Sequence, residues 1–355
     1  MIKKIKYYII ISMVLLFLQT MNAQAARVIE SSPGFTISAP STANFTKDKT
    51  SKVLTAVFTP TSSKESVTWS TSNAKIVKIS STQGNSITIS RVGEGVAVIT
   101  AKTASGKISK YEQTVKEEKV LFVGASGTSL MAMTRKDGDT GQYQKINYGK
   151  LVKNKNLYFV SQSGSGIGWF LTNAQRTKYS SSLKLSTYYG KQYENGGVWL
   201  ESILNSPEND DTKVHFSIAL IVEGNDIKGA KSNESILKKQ APVYYEYYSG
   251  LAKKYSKHNF LVISKAAYNP KAKTAAQREK ALKLNQDCPK FNKALKTLVD
   301  NGNIKNLKFR TFFTYTYNLY VGSDKKIGTT ADFHPNQYTT QVYFDQILKD
   351  LGISK

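Results

Sequence analysis

Cysteine is nearly absent: Cys288 stands alone among 355 residues. A single thiol excludes any intramolecular disulfide and any cysteine-based zinc cluster, so stability has to come from packing. Cys288 lies just before Pro289 and a helical stretch through Phe291, Leu295 and Leu298, which predicts a small half-buried packing residue rather than a nucleophile. Histidine is scarce as well, with three copies. No His/Asp/Glu grouping has metal-ligand spacing, so neither a metal nor another cofactor is expected. Acidic residues number 25 against 50 Lys and Arg, a net charge of +25. Helix-turn-helix, RNP-like and zinc-finger patterns are missing, which argues against nucleic acid as the partner of this basic chain.

Long apolar runs are also missing. The stretch Tyr7 to Leu18 falls short of the roughly 20 residues a spanning helix needs, and Ser12 interrupts it. It follows Lys3, Lys4 and Lys6 and precedes the small-x-small site Ala23-Gln24-Ala25, the three parts of a secretory signal. Residues 1–25 are therefore predicted to be a signal peptide cleaved after Ala25, leaving no membrane span and an exported or cell-surface protein. Removing the three signal lysines from +25 leaves +22 on the mature chain. Such a charge attracts anionic surfaces, which outside the cell means wall phosphates, acidic polysaccharides or membrane surfaces. A lysine-rich coat that only keeps the surface solvated is the plainer alternative.

The pattern of the chain changes near Glu117-Glu118. Before it, residues 28–116 hold short alternating runs, Val53 to Phe58, Val67 to Ser70, Ile76 to Ile79, Ser86 to Ile89 and Val96 to Ala101, separated by Pro, Gly, Ser or Asn. That is the pattern of an antiparallel sandwich with Trp69 between its sheets. The run "LTAVFTPTSSKESVTWSTSNAKIVKIS…VGEGVAVITAK" resembles the bacterial Ig-like domain, group 2. The resemblance implies a surface-protein module that serves as spacer, adhesion or carbohydrate-contacting unit. No polar cluster marks a ligand site here, which favours a spacer.

After it, residues 118–355 alternate five apolar strands (Val120 to Val123, Leu157 to Val160, His215 to Val222, Phe260 to Ser264, Leu307 to Phe313) with helical stretches such as Ala241 to Tyr255 and Ala275 to Leu284. The expected product is a three-layer α/β fold with a mainly parallel sheet and helices on both faces. Ligands in such sheets bind at the carboxyl ends of the strands. Ser126, Ser163-Gly164 and Asn225 all follow strands directly. A serine hydroxyl attacks a carbonyl poorly near neutral pH unless an imidazole takes its proton, and His334, far downstream, is the candidate base.

Taken in order, these segments resemble the SGNH/GDSL hydrolase superfamily, whose fold is flavodoxin-like. Gly124-Ala125-Ser126-Gly127-Thr128 matches the first block and makes Ser126 the nucleophile and an amide donor. "SQSGSGIGWF" offers Gly164 as the second oxyanion donor, with Gly166 as the alternative. Gly224-Asn225-Asp226 matches the third block and makes Asn225 the side-chain donor. His334-Pro335-Asn336 supplies the base. Donors fixed in advance stabilise a tetrahedral oxyanion by about 3–4 kcal/mol each.

The chain departs from the family pattern twice. Ala125 replaces the Asp before the serine, and Ala331 stands where an acid three residues before His334 is expected. Asp332, one place displaced, completes a triad if the loop is rearranged. A backbone carbonyl orienting His334 leaves a Ser-His dyad. The resemblance implies a serine esterase, with an acylated polysaccharide or cell-wall polymer as the expected substrate of an exported chain. A hydrolase-fold surface protein that has lost catalysis and binds glycan or acts as an adhesin is the alternative.

Trp169, with Phe170, is a candidate for lining the substrate pocket, with core packing as the competing role. Asp226 is grouped with it as substrate-binding. Val243 to Tyr248, rich in tyrosine, reads as part core, part sugar platform, because helical spacing sends the rings to different faces. The aromatic stretch Thr311 to Tyr320 is equally ambiguous. His215 opens a strand and is expected to be structural. His258 is expected in an exposed loop.

Overall fold

The computed structural model describes residues 26–47, 49–63, 65–124, 133–135, 143–145, 156–161, 165–183, 195–222, 224–314, 316–317 and 337–353. Residues 1–25, the expected signal segment, lie outside them. The chain divides into two compact units, Met1–Glu117 with Asp210–Val214, and Glu118–Asn209 with His215–Lys355.

The first unit holds eight strands: β1 (Arg27–Ser31), β2 (Phe35–Ser38), β3 (Ser51–Phe58), β4 (Val67–Thr71), β5 (Val77–Ile79), β6 (Ser86–Arg91), β7 (Gly95–Thr103) and β8 (Ile108–Val115). They form two four-stranded antiparallel sheets, in the orders β1-β8-β7-β4 and β2-β3-β6-β5. Alternation drives both. Leu54, Ala56 and Phe58 of β3, Ile87 and Ile89 of β6, and Ala97, Ile99 and Ala101 of β7 face one shared core, with Val67 and Trp69 from β4. Trp69 is buried, and its indole N–H donates to the Gly84 carbonyl at 2.8 Å.

The alternating runs of the sequence all fall on strands of this unit, but β1, β2 and β8 are additional. β1 is exposed throughout and β2 has four residues. β8 sends Ser109, Tyr111 and Gln113 inward, so its buried face is largely polar and escapes a hydrophobic pattern. The Ser109 hydroxyl donates to the Glu30 carbonyl and accepts from the Ile37 amide, which satisfies it inside the core.

The second unit is built on β9 (Glu117–Gly124), a short antiparallel pair β10 (Met133–Arg135) and β11 (Tyr143–Lys145), then β12 (Asn156–Ser161), β13 (Val214–Ile221), β14 (Asn259–Ile263) and β15 (Leu307–Arg310). The main sheet runs β12-β9-β13-β14-β15, with parallel pairing of β12 to β9, β13 to β14 and β14 to β15. Counted along the chain, that is the order 2-1-3-4-5 of flavodoxin-like sheets. All eight residues of β13 are buried, as a parallel strand covered on both faces requires. The expected α/β class and parallel sheet are present.

Six α-helices accompany the sheet among the described residues: α1 (Asn173–Leu183), α2 (Gly196–Leu204), α3 (Asn225–Gly229), α4 (Glu234–Lys254), α5 (Ala275–Asn301) and α6 (Gln337–Asp350). Asn195, Asn233 and Thr274 cap α2, α4 and α5 by accepting a backbone N–H three residues on. Tyr343, Phe344, Ile347 and Leu348 of α6 pack on Val120, Phe122, Ala219, Ile221, Leu261 and Ile263 of the sheet.

The structure corrects three sequence expectations. The helices expected at 241–255 and 275–284 run instead from 234 and to 301, straight through Pro242 and Pro289. An interior proline costs about 3 kcal/mol. The two helices pack together and bury Leu237, Val243, Tyr244, Leu251, Leu284, Phe291 and Leu295, each worth about 1.5–3 kcal/mol, which outweighs the loss. The last strand ends at Arg310, and Phe312 lies beyond it under α6. Cys288 is fully buried rather than half-buried, and burial pushes its thiol up to about 12, far from a nucleophile's range.

Candidate active site

In a 2-1-3-4-5 sheet the strand order reverses between the first and third strands, and the crevice opens outside their carboxyl ends. Here those are β9, ending at Gly124, and β13, ending at Ile221. Ser126, Gly164, Asp332 and His334 lie outside the described residues. Asn225, Asp226, Gly166 and Trp169 lie within them.

Asn225 opens α3 just past β13. Its side-chain amide donates to the Ser165 carbonyl at 2.6 Å, joining the turn after β13 to the segment after β12. The next residue returns the contact. The Asp226 carboxylate is fully buried and accepts the Ile167 backbone N–H at 2.8 Å. It also accepts the hydroxyl of Tyr244 from α4, while Gln240, one turn earlier, donates to the Asp226 carbonyl at 3.0 Å. Gly166 fills the remaining space. A Cβ built there would stand 2.2 Å from Asp226 Oδ1, so no other residue fits. This placement corrects the reading of Asp226 as substrate-binding: with no exposed surface, it braces the Ser165–Ile167 turn instead.

Gly224 is fixed from the other side. A Cβ on it would meet the Tyr268 hydroxyl at 1.5 Å and the Lys265 side chain at 2.9 Å. Both residues follow β14, on a loop stapled from α5. Asn292 accepts from the Lys265 N–H and donates to its carbonyl, each at 2.9 Å. Asn285, seven residues earlier on the same helix face, does the same for Tyr268 at 2.7 and 3.0 Å. The Ala267 amide donates to the Thr316 hydroxyl at 2.8 Å. The Lys265 ammonium sits 4.4 Å from the Tyr268 ring centre, a cation–π contact.

Trp169 is corrected too. It is buried, with Trp199 and Phe170 edge-on to its ring and Gly196 so close that a Cβ would stand 2.6 Å from it. It is core, not pocket wall. Phe170 does line a cavity of about 820 Å³ with Tyr247, Val198, Glu201, Asn173 and Lys254, on the flank formed by α1, α2 and α4. The tyrosine-rich stretch divides by helix face: Tyr244 and Tyr248 are core, Tyr247 lines that cavity, and Tyr245 covers Gly302.

His215 is structural, its Nδ1 2.8 Å from the Glu118 carboxylate in a buried pair. His258 is buried rather than loop-exposed: its Nδ1 accepts the Phe216 N–H, and its ring stacks on Tyr255. Among the described residues, no group of His, Cys, Asp and Glu could hold a metal ion, and no helix is long and apolar enough to cross a membrane.

Tyr244, Gln240, Tyr268, Asn285 and Asn292 escape the sequence reading because their partners are backbone groups or residues of another block. The one local signal is the spacing within each pair, four for Gln240 and Tyr244 and seven for Asn285 and Asn292.

No family model matches the chain, and no curated protein does. Solved structures that resemble it include a family two carbohydrate esterase from Clostridium thermocellum in complex with cellohexaose, 12% identical, TM-score 0.39, covering 86% of this chain and 94% of that one. An acetyl xylan esterase from the rumen bacterium Butyrivibrio proteoclasticus is 13% identical, TM-score 0.39, covering 86% and 90%. An acetyl-xylooligosaccharide esterase from Geobacillus stearothermophilus is 12% identical, TM-score 0.40, covering 67% and 96%. Likeness at this level decides nothing about the chemistry of this chain.

Proposed function

We propose that the chain is an exported serine esterase of SGNH type that removes acetyl or other small acyl groups from a cell-wall or extracellular glycan. One observation carries the proposal: Asn225, the side-chain donor of the third block, bonds to Ser165, immediately after Gly164, the amide donor of the second. Two blocks 60 residues apart in sequence thus meet beside the β9/β13 crevice, where an acyl-transfer site in this topology belongs. In the proposed reaction Ser126 attacks the ester carbonyl as His334 takes its proton. The Ser126 and Gly164 amides and the Asn225 side chain hold the oxyanion, and His334 protonates the leaving alcohol. Asp332 is the candidate for orienting His334.

The first unit, with two antiparallel sheets around one core, suits an Ig-like spacer module. Export, the cleaved signal and attraction to anionic polymers belong to the same reading. Ala125 and Ala331 favour a second reading, a surface protein that keeps the fold, has lost turnover and binds glycan or acts as an adhesin.

Hydrolysis of acetylated glycans and of 4-nitrophenyl acetate separates the two. Under the esterase reading, Ser126→Ala and His334→Ala abolish hydrolysis to similar extents because nucleophile and base act as a unit. Asp332→Ala costs orders of magnitude in a triad and little in a dyad. A wild-type chain inert on every ester yet retaining glycan affinity establishes the second reading instead.

A further inference from the structure

The tyrosine-rich helix has no part in the reaction as proposed, yet one of its faces reaches the site. Gln240 and Tyr244, one turn apart on α4, both end on Asp226: the amide on its carbonyl oxygen, the phenol on its carboxylate. Asp226 in turn holds the Ile167 N–H, and its neighbour Asn225 holds the Ser165 carbonyl. The two bonds run in opposite directions between the same two segments and form a cross-brace. A carboxylate free to rotate would not fix it. The Tyr244 hydroxyl removes that freedom from a buried side, since the Tyr244 ring packs edge-on against Phe291 and Tyr248 at 5.1 and 5.8 Å. Gly166, pressed against the carboxylate, closes the third side.

An Asn amide carries two N–H bonds, and one of those on Asn225 is spent on Ser165. The direction of the other follows from the brace. We infer that Tyr244, acting through Asp226, is a positioning residue: it sets the Asn225 amide and the Ser165–Ile167 turn in the orientation that receives the oxyanion. The inference rests on the esterase reading for its catalytic half. An oxyanion donor has to lie 2.7–3.1 Å from the developing charge, so a small rotation of the brace lowers turnover while leaving ground-state binding intact.

The test uses the full chain with 4-nitrophenyl acetate as substrate and Tyr244→Phe as the variant, which keeps the ring and deletes the hydroxyl. The expected result is a kcat about 10-fold lower with KM within 2-fold, part of the 10²–10³-fold worth of a whole donor. In an Asn225→Ala background the same change costs clearly less than about 10-fold, because one of the two elements it positions is gone. A merely structural role would cost the same factor in both backgrounds, and that result, or an unchanged kcat, overturns the inference. Hydrogen–deuterium exchange at Ile167 supplies a readout independent of activity: Tyr244→Phe should speed it at least 10-fold with little change in the unfolding midpoint. Unchanged exchange removes the brace whatever the kinetics. If the wild-type chain is inert, the esterase reading fails and takes the catalytic half with it, while exchange at Ile167 still decides whether Tyr244 holds the turn.

Discussion

At the scale of single residues, the candidate site turns on which groups have room and which do not. Asn225 is half-buried with an N–H still to give, whereas Asp226, one position on, has no surface at all. Asn225→Ala should therefore lower kcat on an acetyl ester by about 10² to 10³-fold and, by taking the donor from the buried Ser165 carbonyl, cost about 1–3 kcal/mol of stability. Gly166→Ala should do the reverse in emphasis. Its methyl overlaps the Asp226 carboxylate, so denaturant unfolding should reveal a loss of about 1–3 kcal/mol, the usual cost of overpacking, along with impaired turnover. A stable, fully active Gly166→Ala chain would mean that the brace is not as tight as the contact implies. Sequence alone put Asn225 just past a strand, and it does open α3 directly after β13. It misjudged Asp226 and His258 and left Trp169 open between core and pocket, because a polar or aromatic side chain reads the same whether it faces solvent or is satisfied inside.

At the scale of elements, α5 acts less as a covering helix than as a staple for the loop after β14. Asn285 and Asn292 each satisfy both backbone groups of one loop residue, so that a segment outside the sheet ladder can lie buried beside Gly224. Asn292→Ala orphans two such groups at about 1–3 kcal/mol each, and urea unfolding should register a loss of about 2–6 kcal/mol. Asn292→Asp keeps the acceptor, loses the donor and should fall between. Equal stability of all three chains would show that water replaces the amide. The strands of the sheet were legible as apolar runs, and the helices as elements, but not their lengths. Pro242 and Pro289 are each unfavourable inside a helix, and the burial between α4 and α5, a property of two distant segments together, lets the helices run through them. β8 stayed hidden because its inward side chains are largely polar, Ser109 among them with its partners on β1 and β2.

At the scale of the whole molecule, charge is the property that no single site explains. Under the export reading the excess of basic residues leaves +22 on the mature chain, and in the described residues lysines such as Lys238 and Lys296 lie along exposed helix faces, each in an exposed i,i+4 ion pair. Exposed pairs of that kind contribute little to stability, which leaves solvation of the surface and attraction to a distant partner as the two roles open to the charge. If the partner is an anionic wall polymer, the attraction must weaken as salt shortens the screening length from about 10 Å at 0.1 M to 3 Å at 1 M. Binding of the mature chain to isolated wall material should then fall steeply across that range, while kcat on a small neutral ester, whose approach needs no steering, stays within about 2-fold. Adhesion that survives 1 M salt would instead assign recognition to uncharged contacts with the sugar, and the lysine excess to solubility alone. The two measurements belong together because salt that lowered both would indicate a disturbed fold rather than screened attraction.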